Sequence, residues 1–150
     1  IYLMYAEATL MGYNSPSTPS ATFGKSAVDA LNVLRDRAGM ASIHSKFVGS
    51  VDALLPELRR ERAVELAFER HRFTDLRRWM LLIEEPYTIK SSVEMDRAGD
   101  FNADDPTQNR VVNIREEVIL ERPFTEKHYW LPLKVSDVSL YPEMTQNPGW

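Results

Sequence analysis

The hydrophobic period of this chain changes once, at Pro86, and that switch limits what it can fold into. Before it, apolar residues recur every three or four positions, the spacing of one face of an α-helix; after it they recur near every second position, the spacing of one face of a strand. Residues 1–11 (IYLMYAEATLM) are apolar on nearly every side, with Glu7 their one charge and no residue ahead of them to cap the first turn. They read as a helix already in progress, stopped at Gly12, because glycine suits the left-handed position that closes a helix, and followed by a loop through Asn14, Pro16 and Pro19. A second helix is predicted over 25–38, where Ala27, Val28, Leu31, Leu34 and Ala38 recur at helical spacing and Gly39 ends it. A third, capped by Asp52 or a neighbour, runs to about Glu69 on a stripe of Leu54, Leu55, Leu58, Ala63, Leu66 and Ala67. After a break near 70–73, a shorter fourth helix carries Asp75, Leu76, Arg77, Arg78, Trp79 and Leu82 and ends before Pro86.

Beyond the switch, 87–93 and 111–120 are rich in β-branched residues and read as two paired strands separated by a long polar excursion. The remainder is punctuated by proline: Leu131-Pro132-Leu133, a helical turn near 135–139, and Gln146-Asn147-Pro148-Gly149-Trp150. Such an end has to lie along another surface to be ordered. Tyr5, Ala6 and Ala8 on the first helix, with Ala27, Ala30 and Leu31 on the second, supply the small-against-large contact of tetratricopeptide-type (TPR) helix pairs. The expected fold is therefore mainly α: antiparallel TPR-like helix pairs over 1–85, then a small β-hairpin and an extended irregular C-terminal tail over 86–150.

Composition removes several functions. The chain has 150 residues, 43% of them apolar and 27% charged, which is the balance of a folded protein. It contains no cysteine, so thiolate nucleophiles, disulfides and Cys-based metal centres are excluded. A net charge of −4 argues against a surface that coats phosphate backbones, and nucleic acid is not an expected partner. Nowhere do the apolar residues run uncharged for the roughly 18 positions that a spanning helix needs.

The residues that could carry chemistry read mostly as structural. Between Arg59 and Arg78 seven arginines alternate with Glu61, Glu65, Glu69 and Asp75, at spacings that make ion pairs within and between helices. Glu61, Arg62, Glu65, Arg72 and Asp75 are expected to pin the third helix to the fourth, with Arg72 and Asp75 in a partly buried pair. Glu69 and His71 are two residues apart and point to different helix faces, so with Glu65 they do not make a metal cluster; His44 and His128 lack an acid and nucleophile around them.

No resident metal or cofactor is expected. If an ion bound at all, Asp100, Asn102 and Asp104, at alternate positions, would hold Ca2+ weakly, because the loop carries Asp105 where a calcium loop turns on glycine and Val111 where it needs a bidentate Glu. Tyr87, Phe124, Tyr129, Trp130, Tyr141 and Trp150 could stack on sugar rings, but aromatics at this density are expected to serve packing of the strand and tail region. No catalytic acid pair is placed near them, and no catalytic residue is assigned.

Three stretches in order resemble one family: Tyr5-Ala6-Glu7-Ala8; 30–39 (ALNVLRDRAG); and 61–79, with Glu61-Arg62, Glu65-Leu66-Ala67-Phe68-Glu69, His71-Arg72-Phe73 and Asp75-Leu76-Arg77-Arg78-Trp79. The tail agrees in Arg122-Pro123-Phe124, Tyr129-Trp130 with Pro132, and 145–150 (TQNPGW). Together these resemble the SusD/RagB family of outer-membrane nutrient-binding lipoproteins. Two positions depart from its pattern: Arg70 stands where the family often has Gly, and Leu131-Pro132-Leu133 replaces a Pro-Ile-Pro type run.

The resemblance implies the C-terminal portion of a larger, mostly helical protein, with further chain upstream. It implies a non-catalytic binder on the outer face of the outer membrane of Bacteroidota, touching the membrane only through a lipid on an upstream N-terminus. Its partners would be an oligosaccharide or peptide ligand and a SusC-like TonB-dependent transporter. Ligand-contacting residues of such proteins come mostly from upstream, and the resemblance transfers none to this chain. An intracellular TPR-like scaffold that docks a peptide between its helix pairs is the alternative from another class.

Overall fold

A computed structural model describes residues 1–150. The elements in order are α1 (Tyr2–Gly12), α2 (Ala27–Arg37), α3 (Val51–Glu65), α4 (Arg72–Arg78), β1 (Ile89–Arg97), β2 (Val111–Glu121) and α5 (Val135–Leu140), with 3₁₀ turns at Ser45–Phe47, Pro106–Gln108 and Glu126–Tyr129. The chain forms two compact units, Ile1–Arg72 and Phe73–Trp150. The fold is mainly α with one antiparallel strand pair, the class read from the sequence.

The first unit is a three-helix core. Leu3, Ala6 and Leu10 of α1 meet Ala27, Ala30 and Leu31 of α2 and Leu54 and Leu58 of α3, with Ile43 from the loop between. Ala6, Ala27 and Ala30 are fully buried and let the backbones approach closely. Tyr5 stays at the rim, where its hydroxyl donates to the Lys25 carbonyl at 2.6 Å, and Ala8 faces outward, so the small-residue contact is narrower than expected.

Helix ends depart most from the sequence reading. α2 starts two residues later than predicted because Ser26 caps it: Ser26 Oγ accepts from the Asp29 N–H at 3.2 Å and the Asp29 carboxylate accepts from the Ser26 N–H at 2.9 Å. Ser50 rather than Asp52 caps α3, accepting from the Ala53 N–H at 3.1 Å. α1 continues through Gly12, and the left-handed residue after it is Asn14, with φ +48°. α3 stops at Glu65 rather than near Glu69, and Phe68 and Arg70, with φ of +67° and +64°, turn the chain away. α4 stops at Arg78 because Met80 takes φ +56°, and the Leu81 and Met80 N–H groups donate back to the carbonyls of Leu76 and Arg77 at 2.8 and 3.1 Å.

The second unit has a small core of Leu76, Leu82 and Tyr129, flanked by Leu81, Ile83, Tyr87 and Phe124. Its strands pair in a register that runs from Ile89 opposite Glu121 to Arg97 opposite Val111, with irregularities between Lys90 and Ser91 and between Glu94 and Asp96. The second coincides with Asn113 at φ +52°, whose side-chain amide donates to Asp96 at 3.1 Å. Every residue of β2 is exposed, and the pair is a ribbon with no layer on either side in this chain.

Candidate functional site

The arginine-rich stretch is structural, but its partners differ from expectation. Glu61 pairs with Arg35 and, at 3.0 Å, with Arg60, and Glu65 pairs with Arg37. Both acids therefore serve α2, whereas the spacing along the sequence had assigned them to the fourth helix. The Arg35–Glu61 pair is almost dry, with side chains 12% and 13% exposed, and Arg35 Nε also donates to the Ala41 carbonyl. Glu57, buried on α3, accepts a two-pronged contact from Arg60 at 2.6 and 2.8 Å, and this hydrogen bonding holds its carboxyl below the ordinary range. Asp75 is buried, with Arg78 at 3.8 Å, and Arg72 lies at the surface.

The excursion between the strands organises itself through short polar side chains. Asn102 Oδ1 accepts from the N–H groups of Asp104 and Asp105 at 3.0 and 2.9 Å. The amide of Asn109 clamps the Asn102 backbone from both sides, at 2.9 and 2.8 Å. Asp105 accepts from Thr107 and Gln108, and the Thr107 hydroxyl is the largest cause of its lowered pKa. Asn102 thus spends its oxygen on a local turn, and no three His, Asp or Glu side chains converge anywhere in the chain.

The aromatic set divides in a way the sequence did not disclose. Tyr129 is buried, and Tyr87 and Phe124 pack on the core, as expected of packing residues. Trp130, Tyr141 and Trp150 are instead 55%, 59% and 47% exposed.

Trp130 lines a cleft of about 650 Å3, whose floor can be built up from the chain. Thr125 opens the 3₁₀ turn, its N–H donating to His128 Nδ1 at 2.9 Å. Tyr129 anchors that turn: its hydroxyl accepts from the Ile83 N–H at 3.3 Å, and its carbonyl accepts from the Arg77 guanidinium, with Nε at 3.1 Å. The residue after this anchor, Trp130, is carried outward.

The tail returns to form the opposite wall. The Gln146 side chain accepts from the Leu133 N–H at 2.8 Å and donates to the Leu133 carbonyl at 3.0 Å, pairing with the backbone as a strand neighbour would. Asn147 donates to the Leu131 carbonyl. Trp150 Nε1 closes the arrangement by donating to the carbonyls of both Lys127 and Trp130 at 3.0 Å, while its ring meets the His128 edge and lies 4.6 Å beneath Lys127 Nζ. Gly149, with φ +84°, passes so close to Lys127 that a Cβ there would sit 2.8 Å from the lysine Cβ.

The cleft is lined by Thr125, Glu126, Lys127, Trp130, Pro148 and Gly149. It holds an aromatic face beside a carboxylate, an ammonium and a hydroxyl, a mixture suited to reversible binding.

All 150 residues match the model of the SusD family. The chain is also similar in structure to a SusD-like protein from Bacteroides fragilis NCTC 9343, at 25% identity and a TM-score of 0.69, over 99% of this chain and 24% of that one. A second solved structure, BT4246, shares the fold at 22% identity and a TM-score of 0.62, over 99% of this chain and 22% of that one. The chain thus spans about a quarter of the length of either structure. No curated protein matches it. The ordered motifs of helices and tail, the mainly helical fold that they build, and the family match along the entire sequence converge on one assignment: this chain belongs to the SusD family.

Proposed function

We propose that the chain is the C-terminal portion of a nutrient-binding lipoprotein on the cell surface, one that captures a glycan, or in some branches a peptide, and passes it to a SusC-like TonB-dependent transporter. The observation that carries this reading is membership of the SusD family along all 150 residues. The protein binds and does not catalyse, in keeping with a cleft whose polar groups surround an aromatic platform without forming a reacting set. It sits on the outer face of the outer membrane, held by lipid on the upstream part of the protein. Its helix pairs are common to an intracellular scaffold as well, but the ordered tail motif favours the surface receptor.

The test is made on the complete gene product in its native cells. Metabolic labelling with a radioactive fatty acid and protease shaving of intact cells are expected to give a labelled protein that shaving removes. An unlabelled protein that survives shaving until the cells are broken would overturn the surface assignment.

A further inference from the structure

The strand pair is the part of this chain with least to hold it. Every residue of β2 is exposed, β1 is its one neighbour, and its outer edge turns backbone N–H and C=O groups to solvent along 11 residues. A two-stranded ribbon is marginal in water, whereas three or more strands sharing an apolar face can be stable. Proline and lysine, the residues that commonly block an open edge, are absent from Val111–Glu121. We propose that β2 is a pairing edge for a second copy of this protein: the two β2 strands run antiparallel about a two-fold axis at Glu116 and join two ribbons into one four-stranded sheet.

The occupant is identified by how β2 reads outward from its centre. Around Glu116, antiparallel self-pairing sets Arg115 opposite Glu117, Ile114 opposite Val118 and Val112 opposite Leu120, and the symmetry makes each pair twice. The register within the ribbon puts Arg115 and Glu117 on one face and Ile114 and Val118 on the other, so the members of each pair meet on the same face. Ile114 and Val118 are 64% and 61% exposed in the single ribbon. The irregular positions of β2, Asn113 and Ile119, are equidistant from Glu116 and also fall opposite each other. A slip of two residues, the smallest that keeps the faces matched, sets Arg115 against its own copy in one direction and Glu117 against its own copy in the other.

The charged groups are free to make these pairs. The Glu117 carboxylate takes no partner within the chain, and Arg115 stands 3.8 and 3.9 Å from Glu94 and Asp96, beyond hydrogen-bond reach, on a side chain 61% exposed. Glu116 meets its own copy at the axis, but the Ser91 hydroxyl donates to its carboxylate and draws it toward β1.

The test is sedimentation equilibrium of the complete gene product in detergent, with a cross-link to locate the contact. The wild type is expected to be dimeric at micromolar concentration. Glu117→Arg sets arginine against arginine twice and is expected to weaken the dimer by about tenfold or more, and Arg115→Glu does the same with acids. Mixed in equal amounts, these two variants restore both opposite-charge pairs and are expected to associate within about threefold of wild-type affinity. Residues 1–150 contain no cysteine, so Glu116→Cys introduces one thiol per copy at the axis. Opposed Cα atoms in an antiparallel pair lie about 4.5–5.5 Å apart, a span that a disulfide bridges. Mild oxidation is expected to give a covalent dimer with Glu116→Cys and none beyond the wild-type level with Val135→Cys, an exposed position on α5.

A monomeric wild type would overturn the proposal, and is the outcome if the upstream chain covers β2. A dimer that Glu117→Arg leaves at full strength would also overturn it, because the copies would then meet through another surface. So would a mixture of the two charge variants that stays monomeric, or a Glu116→Cys protein that does not cross-link. If Arg115→Glu loses its cooperative unfolding transition, Glu117→Arg and the cross-link decide.

Discussion

At the scale of single residues, two carboxylates of α3, Glu57 and Glu61, are little exposed and ion-paired. Glu61 and Arg35 are almost dry and satisfy each other, so removing the acid strands a guanidinium that the Ala41 carbonyl satisfies only in part. Glu61→Ala is expected to cost about 2–4 kcal/mol, below the upper range for fully buried pairs because Glu57 also acts on Arg35, and the denaturant midpoint measures it. Glu57 sets a pH dependence. Its hydrogen bonds from Arg60 lower the folded-state pKa from the ordinary 4.5, so the unfolded chain binds the proton more readily. The contribution is complete above that ordinary value and is lost as pH falls through the lower folded one. Glu57→Gln should therefore destabilise by about 1 kcal/mol at neutral pH, a figure held down by the half-exposed Arg60, and the gap from wild type should close as the medium is acidified below about pH 4. A gap that stays constant on acidification would show that the carboxylate charge contributes nothing.

At the scale of elements, chain direction is set by residues in left-handed geometry where glycine is absent. Arg70 at φ +64° is such a position, and an L-residue there costs on the order of 1 kcal/mol. Arg70→Gly is expected to raise stability by about 0.5–1 kcal/mol, visible as a higher melting temperature, despite removing a charged side chain. The existence and type of α2 and α3 could be read from hydrophobic period, because burial of one face imposes it on the sequence, whereas the strands could be read from their β-branched residues, no face of β2 being buried. The ends could not, because Asn14, Phe68, Arg70 and Met80 take left-handed φ with no glycine to announce it. Ion-pair partners were equally hidden, since spacing reports neighbours on one helix and Glu61 and Glu65 answer to arginines some two dozen residues away. The cleft was hidden for a related reason. Tyr129 and Trp130 are adjacent aromatics of similar hydrophobicity, yet the fold buries the first against Leu76 and Leu82 and leaves the second exposed.

At the scale of the whole molecule, the 150 residues leave much apolar surface in water. At α1 and the Ile1 that precedes it, Ile1, Met4 and Met11 are 98%, 58% and 56% exposed, and on β2 Ile114, Val118 and Ile119 are each more than half exposed. Patches of this kind drive association when nothing covers them. Residues 1–150 expressed alone are expected to elute as aggregates or to unfold without a sharp transition; a monodisperse monomer with a cooperative melt would show that the two cores suffice. The central claim is that this chain serves a surface receptor working with a transporter, and affinity isolation of the complete gene product from detergent-solubilised outer membranes tests it most directly. The account predicts a TonB-dependent transporter recovered in comparable molar amount; recovery of the tagged protein from the cytoplasm, or from the outer membrane without any such transporter, would contradict it.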